Sequence, residues 1–346
     1  MSPPVIRLQE VRKTFVVTER AGRLRRARRE VAAVDGISLD VPAGQICGYI
    51  GPNGAGKSTT VKILTGILTA TSGHVRVAGL DPRTHRVELA RRVGVVFGQR
   101  TQLWWDLPLC DSFALLRHVY RRTAGDHATR LTSLIDVLDL GPFLSTPVRQ
   151  LSLGQRMRGD LAAALLHAPE VLYLDEPTIG LDVVSKSRVR EFLHEVNRDD
   201  GVTVLLTTHD LTDVERLCDR LIVIDQGQII SDGTVTQIKQ TYGRLRALVV
   251  DFVDPQPPLE LTGVASVQVD GPRQRVEFDW TTSAPQLIAA VLRQAEVRDL
   301  SIEEPRIDDV VHQIYTARSG ARLPLGAPTE KAQTTPIPSP QAGQPR

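Results

Sequence analysis

Residues 51–59 read Gly-Pro-Asn-Gly-Ala-Gly-Lys-Ser-Thr, and the order of types alone specifies a chemistry. Gly51, Pro52, Asn53, Gly54, Ala55 and Gly56 form a loop whose glycines let backbone N–H groups turn inward around phosphate oxygens. Lys57 adds a full positive charge for the β- and γ-phosphates, Ser58 offers its hydroxyl to Mg²⁺, and Thr59 continues into a helix whose positive end faces the same anion. A second set lies further along the chain, where the apolar run Val171-Leu172-Tyr173-Leu174 ends in Asp175-Glu176-Pro177. Two charges are not tolerated in the middle of a buried strand, so the pair is delivered at the strand's end, at the edge of a site. Asp175 is placed to hold Mg²⁺ through its water shell, and Glu176 to orient and deprotonate a water. The chemistry these residues predict is in-line attack of water on the γ-phosphate of ATP.

Such groups work only if elements hold them. The loop needs a strand before it and a helix after it, and QICGYI precedes it while KSTTVKILTGIL follows. Strand-like runs rich in Val, Ile and Leu then alternate with helical patterns as far as RLIVID, which predicts an α/β domain over residues 5–242. Its sheet should be mainly parallel and its site at the carboxyl ends of the strands. From about 100 to 166 the strand pattern stops, and DSFALLRHVYRR and ATRLTSLIDVLDL carry helical spacing, so a helical subdomain is inserted there. Residues 243–318 suggest a small α+β domain, with ALVVDF, SVQVDG and RVEFDW as strands and PQLIAAVLRQA and IDDVVHQIY as helices. Residues 319–346, rich in Pro and small polar residues, are expected to be disordered. The Arg-dense insert 19–30 reads either as a solvated basic loop or short helix, or as a contact for anionic headgroups or an acidic partner face.

Composition narrows the rest. The 346 residues carry a net charge of only +2, with 41% hydrophobic and 24% charged residues, as in a soluble globular protein and not a polyanion binder, so nucleic acid is not an expected partner. No stretch approaches the ~18 apolar residues needed to span a bilayer. The N-terminal MSPPVIRLQEV lacks a basic flank followed by an apolar run, which points to the cytoplasm. Cys47, Cys110 and Cys218 are far apart in the chain and read as buried free thiols.

Leu151-Ser152-Leu153-Gly154-Gln155 opens another helical pattern, with Ser152 as its N-cap. Together with the phosphate loop and VLYLDEP it resembles the signature of the ATP-binding cassette family, a branch of the P-loop NTPases, with Leu153 where the usual LSGGQ has its first glycine. The resemblance covers residues 5 to about 240. It implies that Phe15 stacks on adenine and that Gln99, ending VGVVFG, reaches Mg²⁺ or the attacking water. Asp182 in Ile179-Gly180-Leu181-Asp182 would be the D-loop acid, and His209 after VTVLLTT the switch histidine that contacts the γ-phosphate. It also implies that two copies form a head-to-tail sandwich, each ATP lying between one phosphate loop and the partner's Ser152, Gly154 and Gln155.

Within that family, a single cassette with about a hundred residues between loop and signature favours transport over DNA- or ribosome-acting ATPases. VGVVFGQRTQLWWDLPLCDSF, LSLGQRMR, DEPTIGLDVVSK and the C-terminal IEEPRIDDVVHQIY look closest to ATPase subunits of bacterial drug or viologen exporters whose permeases are separate transmembrane chains. The implied location is the cytoplasmic face of the cell membrane. An importer ATPase is the alternative, with a non-transport ATPase third, and no residue reports the cargo. Trp104 and Trp105 read either as packing of the helical subdomain on the sheet or as an aromatic wall receiving a helix of the membrane partner.

Overall fold

The computed structural model describes residues 3–20, 26–98, 100–243 and 245–318. β1 (Ile6–Arg20) and β2 (Arg26–Val41) form a long antiparallel hairpin. β3 (Ile46–Ile50) runs through the phosphate loop into α1 (Lys57–Leu64), and β4 (Ser72–Val77) returns to pair with β1. After α2 (Arg86–Leu89) and β5 (Val93–Phe97), the chain leaves the sheet for α3 (Leu109–Val119), α4 (Ala124–Val137) and α5 (Leu153–Leu165). It comes back through β6 (Val171–Asp175), α6 (Val183–Asp200), β7 (Thr203–Thr207), α7 (Leu211–Leu217), β8 (Arg220–Asp225), β9 (Gln228–Thr234) and α8 (Val235–Tyr242).

Among the described residues, a six-stranded sheet has the order β5-β6-β7-β3-β8-β9, parallel throughout except for β9. β3, β6 and β7 are buried along almost their whole length, which is why they read as unbroken apolar runs. Tyr49 and Tyr173 pack on one face with Val61 and Leu64 of α1; Leu172, Leu174 and Leu206 pack on the other against α5 and α6. The carboxyl ends of β3, β5, β6 and β7 therefore meet the loop that precedes α1.

The hairpin departs from the loop or short helix expected for the Arg-dense insert. Its ladder continues through Val16↔Glu30, Val17↔Arg29 and Thr18↔Arg28 to Arg20↔Arg26, because the β-branched run Val16, Val17 and Thr18 favours extended backbone. Residues 21–25 of the insert lie outside the described residues, as do all of 319–346. Two cysteines fit the expected burial, Cys47 and Cys218, whereas Cys110 is exposed in the first turn of α3.

Past residue 243, β10 (Leu245–Phe252), β11 (Val264–Asp270) and β12 (Arg273–Asp279) precede α9 (Ala284–Gln294) and β13 (Val297–Glu303), in the antiparallel order β11-β12-β10-β13. β13 is an addition to the strands read from sequence: Val-Arg-Asp-Leu-Ser-Ile-Glu is an edge strand with no fully buried position, so its signal is weak. The last helix, α10 (Ile307–Arg318), leaves this small sheet. Its Ile307, Val310, Val311 and Ile314, at helical spacing, join the cluster of Leu217, Leu221, Val223 and Ile238. Arg318 donates to Gln228 at 2.8 Å and lies 3.7 Å from Asp225, fastening the helix to the β8–β9 turn. The helix expected within the small domain thus packs on the larger one.

Candidate functional site

The phosphate loop is built as its residue types require. Gly56 has φ 107°, and a Cβ there would lie 2.3 Å from the Ala33 carbonyl oxygen, so only glycine fits. Lys57 is 8% exposed, and its Nζ donates to the carbonyls of Gly51 at 2.5 Å and Pro52 at 3.2 Å. Burial lowers its pKa, and the nearby Glu176 and Asp175 carboxylates oppose that shift. The cation is held ready without a full counter-charge bonded to it.

The acids arrive at the end of β6. Asp175 Oδ2 is 3.3 Å from Ser58 Oγ, and its Oδ1 accepts from Thr207 Oγ1 at 2.5 Å. Glu176 sits at φ 56°, an uncommon backbone for a residue with a side chain, held by its N–H donating to Thr207 O at 2.9 Å. Its Oε2 accepts from the His209 N–H at 3.3 Å, while Oε1 lies 3.1 Å from His209 Nε2 without hydrogen-bond alignment and has no other partner among the described residues. Burial raises the Glu176 pKa, with the His209 and Lys57 charges opposing. A half-buried carboxyl with a raised pKa and an enclosed oxygen that no described residue bonds is suited to take a proton from water.

These groups face one cavity of about 630 Å³, within the range of small-molecule sites. Of the residues chosen from sequence, Pro52, Asn53, Gly54, Gly56, Lys57, Ser58, Thr59, Asp175, Glu176 and His209 line it. Gly51 and Ala55 do not line it but frame it, Gly51 through its carbonyl to Lys57 and Ala55 by accepting from Gly227 N–H at 2.9 Å. Phe15 is not among the lining residues either; it is half-buried on β1 opposite Val31, with Lys13 Nζ 5.2 Å from its ring centre, and Ala33 is the hairpin residue that reaches the cavity. Gln99 lies outside the described residues. Lys62, Arg100 and Phe97 also line the cavity, and Thr207 braces Asp175, all unforeseen.

Ser152, Gly154, Gln155 and Asp182 gather elsewhere. Ser152 caps α5 in a reciprocal box with Gln155: Ser152 Oγ accepts from Gln155 N–H at 3.2 Å and Gln155 Oε1 accepts from Ser152 N–H at 2.9 Å. Asp182 caps α6, accepting from Ser185 N–H at 2.9 Å and Ser185 Oγ at 2.7 Å, bonds that lower its pKa. Gly154 adjoins this second cap, since a Cβ on it would be 3.3 Å from Ser185 Oγ. None of the four lines the phosphate cavity of the same chain.

Leu153 is accommodated rather than disruptive. It occupies the first turn of α5, where ordinary helical backbone suits any L-residue, and its side chain fills the space over Gly180, whose missing Cβ would be 2.5 Å from Leu153 Cδ2. Gly180 also has φ 70°. Gly180→Ala is therefore expected to cost about 1–2 kcal/mol from backbone strain alone, and more from the contact. Urea unfolding of Gly180→Ala with and without Leu153→Ala checks this: the second change should return the contact part and leave the backbone part.

Comparison with known proteins follows the same lines. A family model described as ABC transporter matches residues 34–179, and one described as the C-terminal domain of DrrA1-3-like ATP-binding proteins matches 233–311. The daunorubicin resistance ATP-binding protein DrrA3 of Streptomyces coeruleorubidus is 34% identical over 80% of this chain and 89% of its own. The linearmycin resistance ATP-binding protein LnrL of Bacillus subtilis is 32% identical over 64% of this chain and 71% of its own. A dimeric ATP-binding cassette solved in a post-hydrolysis state with ADP and Pi superposes with a TM-score of 0.57 at 25% identity, over 66% of this chain and 98% of that one.

Proposed function

The chain belongs to the ATP-binding subunits of ABC transporters, and on that premise we propose that it hydrolyses ATP at the Lys57–Glu176 cavity to drive export through separate membrane subunits. The observation that carries the reading is the convergence of Lys57, Ser58, Asp175, Glu176 and His209 on one cavity. Lys57 leaves the Gly51 and Pro52 carbonyls for the β- and γ-phosphates, and the loop N–H groups from Gly54 to Ser58 cradle them. Ser58 Oγ and the Asp175 carboxylate, hard oxygen donors 3.3 Å apart beside that cradle, fit Mg²⁺ and would hold it. When bound, Mg²⁺ offsets charge on the β- and γ-phosphate oxygens. Glu176 accepts the proton of the attacking water at its unpaired Oε1, and His209 is positioned by its contact with that carboxylate to meet the γ-phosphate.

In this reading Phe15, on β1, supplies the adenine contact, and Gln99 would be the residue that serves Mg²⁺ or the water. Ser152, Gly154, Gln155 and Asp182 act on the ATP of a second copy in a head-to-tail dimer. Their grouping away from their own chain's cavity supports that division of labour. No helix among the described residues is long and apolar enough to cross a membrane, and we place the chain on the cytoplasmic face, against the permease chains. The test is phosphate release from MgATP by the purified chain, alone and with its permeases in vesicles. No release in either setting would remove the reading.

Import is the second reading, because a methionine import ATP-binding protein of Mannheimia succiniciproducens matches at 34% identity over 68% of this chain. The match at residues 233–311 favours export, since it is to the C-terminal domain of DrrA-like proteins.

Trp104 and Trp105, 39% and 50% exposed at the start of the helical subdomain, support the wall reading over full burial in packing. Replacing both with Ala is expected to abolish permease-dependent stimulation of ATP hydrolysis while the basal rate persists. Unchanged stimulation, measured in vesicles, would exclude the pair from coupling.

A further inference from the structure

One buried carboxylate takes no part in the chemistry above. Asp160, 4% exposed, lies on α5 about two turns beyond Ser152 and beside Leu161 and the alanines that pack on the sheet. An ionisable group there is costly unless its oxygens are occupied. Asp160 Oδ1 accepts from Thr101 Oγ1 at 2.8 Å and from Gln102 N–H at 3.0 Å. Gln102 Nε2 donates back to the Asp160 backbone carbonyl at 3.0 Å, and Thr101 Oγ1 accepts from Leu103 N–H at 3.1 Å. Burial pushes the carboxyl up to about 6 against the pull of these donors and of Arg156.

The fastened segment stands between two functional surfaces. On its N-terminal side, Phe97, Gly98 and Arg100 line the phosphate cavity; on its C-terminal side, Trp104 and Trp105 are exposed. The contact with α5 is close, since a Cβ on Gly159 would be 3.1 Å from Leu103 Cδ1, and Arg156 lies 5.7 Å from the Trp105 ring centre. A helix bound to this segment at Asp160 also carries Ser152 and Gln155 at its start.

We propose that Asp160 is a positioning residue for ATP turnover, whose carboxylate latches residues 101–103 to α5 and so fixes the exit of β5 from the phosphate cavity and the Trp104–Trp105 ledge on one helix. This rests on the ATPase reading, and the test separates the two. In a Trp280→Phe background the full chain keeps only the tryptophans of the ledge. Asp160→Ala removes the latch, whereas Asp160→Asn retains the Oδ1 acceptor. The Ala variant is expected to lower kcat about tenfold with KM for ATP changed by less than about twofold. It should also raise the acrylamide quenching constant of the ledge tryptophans, and Asn should restore both quantities. Should the Ala variant fail to fold, Thr101→Val, which removes the side-chain donor to Asp160 Oδ1 and keeps the carboxyl, is expected to move kcat and quenching the same way. Unchanged kcat and quenching would overturn the proposal, and so would an equal loss of ATP affinity and turnover, the mark of a general folding anchor. Absence of turnover in the parent chain would sink the ATPase reading instead and leave quenching to decide the latch.

Discussion

Glu176→Gln is expected to lower steady-state ATP hydrolysis by about 10²–10⁴-fold, the usual contribution of a positioned general base, while ATP binding persists. The separation follows from the geometry. Gln preserves the side-chain shape and one oxygen, so the contact with His209 N–H survives and Lys57, Ser58 and Asp175 are untouched. What is lost is the lone pair of a carboxylate that has no other partner at Oε1 among the described residues. With binding intact and turnover blocked, an ATP-bound dimer should accumulate, measurable by size exclusion with MgATP. The parent enzyme should also show an acid limb in kcat/KM. Burial raises the Glu176 pKa, so its base form is lost as pH falls through a value above the ordinary carboxylate range, and the rate falls with it. In Glu176→Gln that limb should vanish from the residual activity. Undiminished turnover would show that another group takes the proton.

The cavity was legible in the sequence because each of its main parts is local. A glycine-spaced loop needs the strand before it and the helix after it, and two acids ending a buried strand have one place to go, so both sets must converge at the carboxyl edge of a parallel sheet. The bracing of those acids was not legible. Thr207 and His209 come from a different strand end, and their contacts with Asp175 and Glu176 depend on β6 and β7 being neighbours, which no local pattern encodes. The Asp160 latch was hidden for the same reason: a single acid on an apolar helix looks like an error until Thr101 and Gln102 are brought onto it from 59 and 58 residues away. The C-terminal helix shows the converse limit. Its apolar stripe predicted a helix with one buried face, but Ile307, Val310, Val311 and Ile314 would suit either the small sheet or the cassette, and only packing against Leu217 and Ile238 decides. At the hairpin, six arginines between residues 20 and 29 suggested solvated irregular chain. Pairing with Val16, Val17 and Thr18 overrode that composition where the strands are described.

Lys57→Ala should have the complementary effect, abolishing ATP binding at ordinary concentrations with the fold preserved. Charge-assisted bonds to the β- and γ-phosphates at about 1.5–3 kcal/mol each make the loss roughly 3–6 kcal/mol, or about 10²–10⁴-fold in Kd. Stability should respond quite differently. Among the described residues Lys57 bonds to the Gly51 and Pro52 carbonyls alone, and burial already works against its charge, so removing it relieves a desolvated cation while leaving two carbonyls beside the cavity. A melting temperature near the parent value is expected, with the loss confined to the ATP-induced rise in Tm. The Lys57 charge also helps hold the Glu176 pKa down, so any residual turnover should show its acid limb displaced to higher pH. Calorimetry with ATP and thermal unfolding in its presence measure the first two effects. Retained affinity would mean that the loop N–H groups bind the phosphates without the lysine, and would remove Lys57 from the cradle.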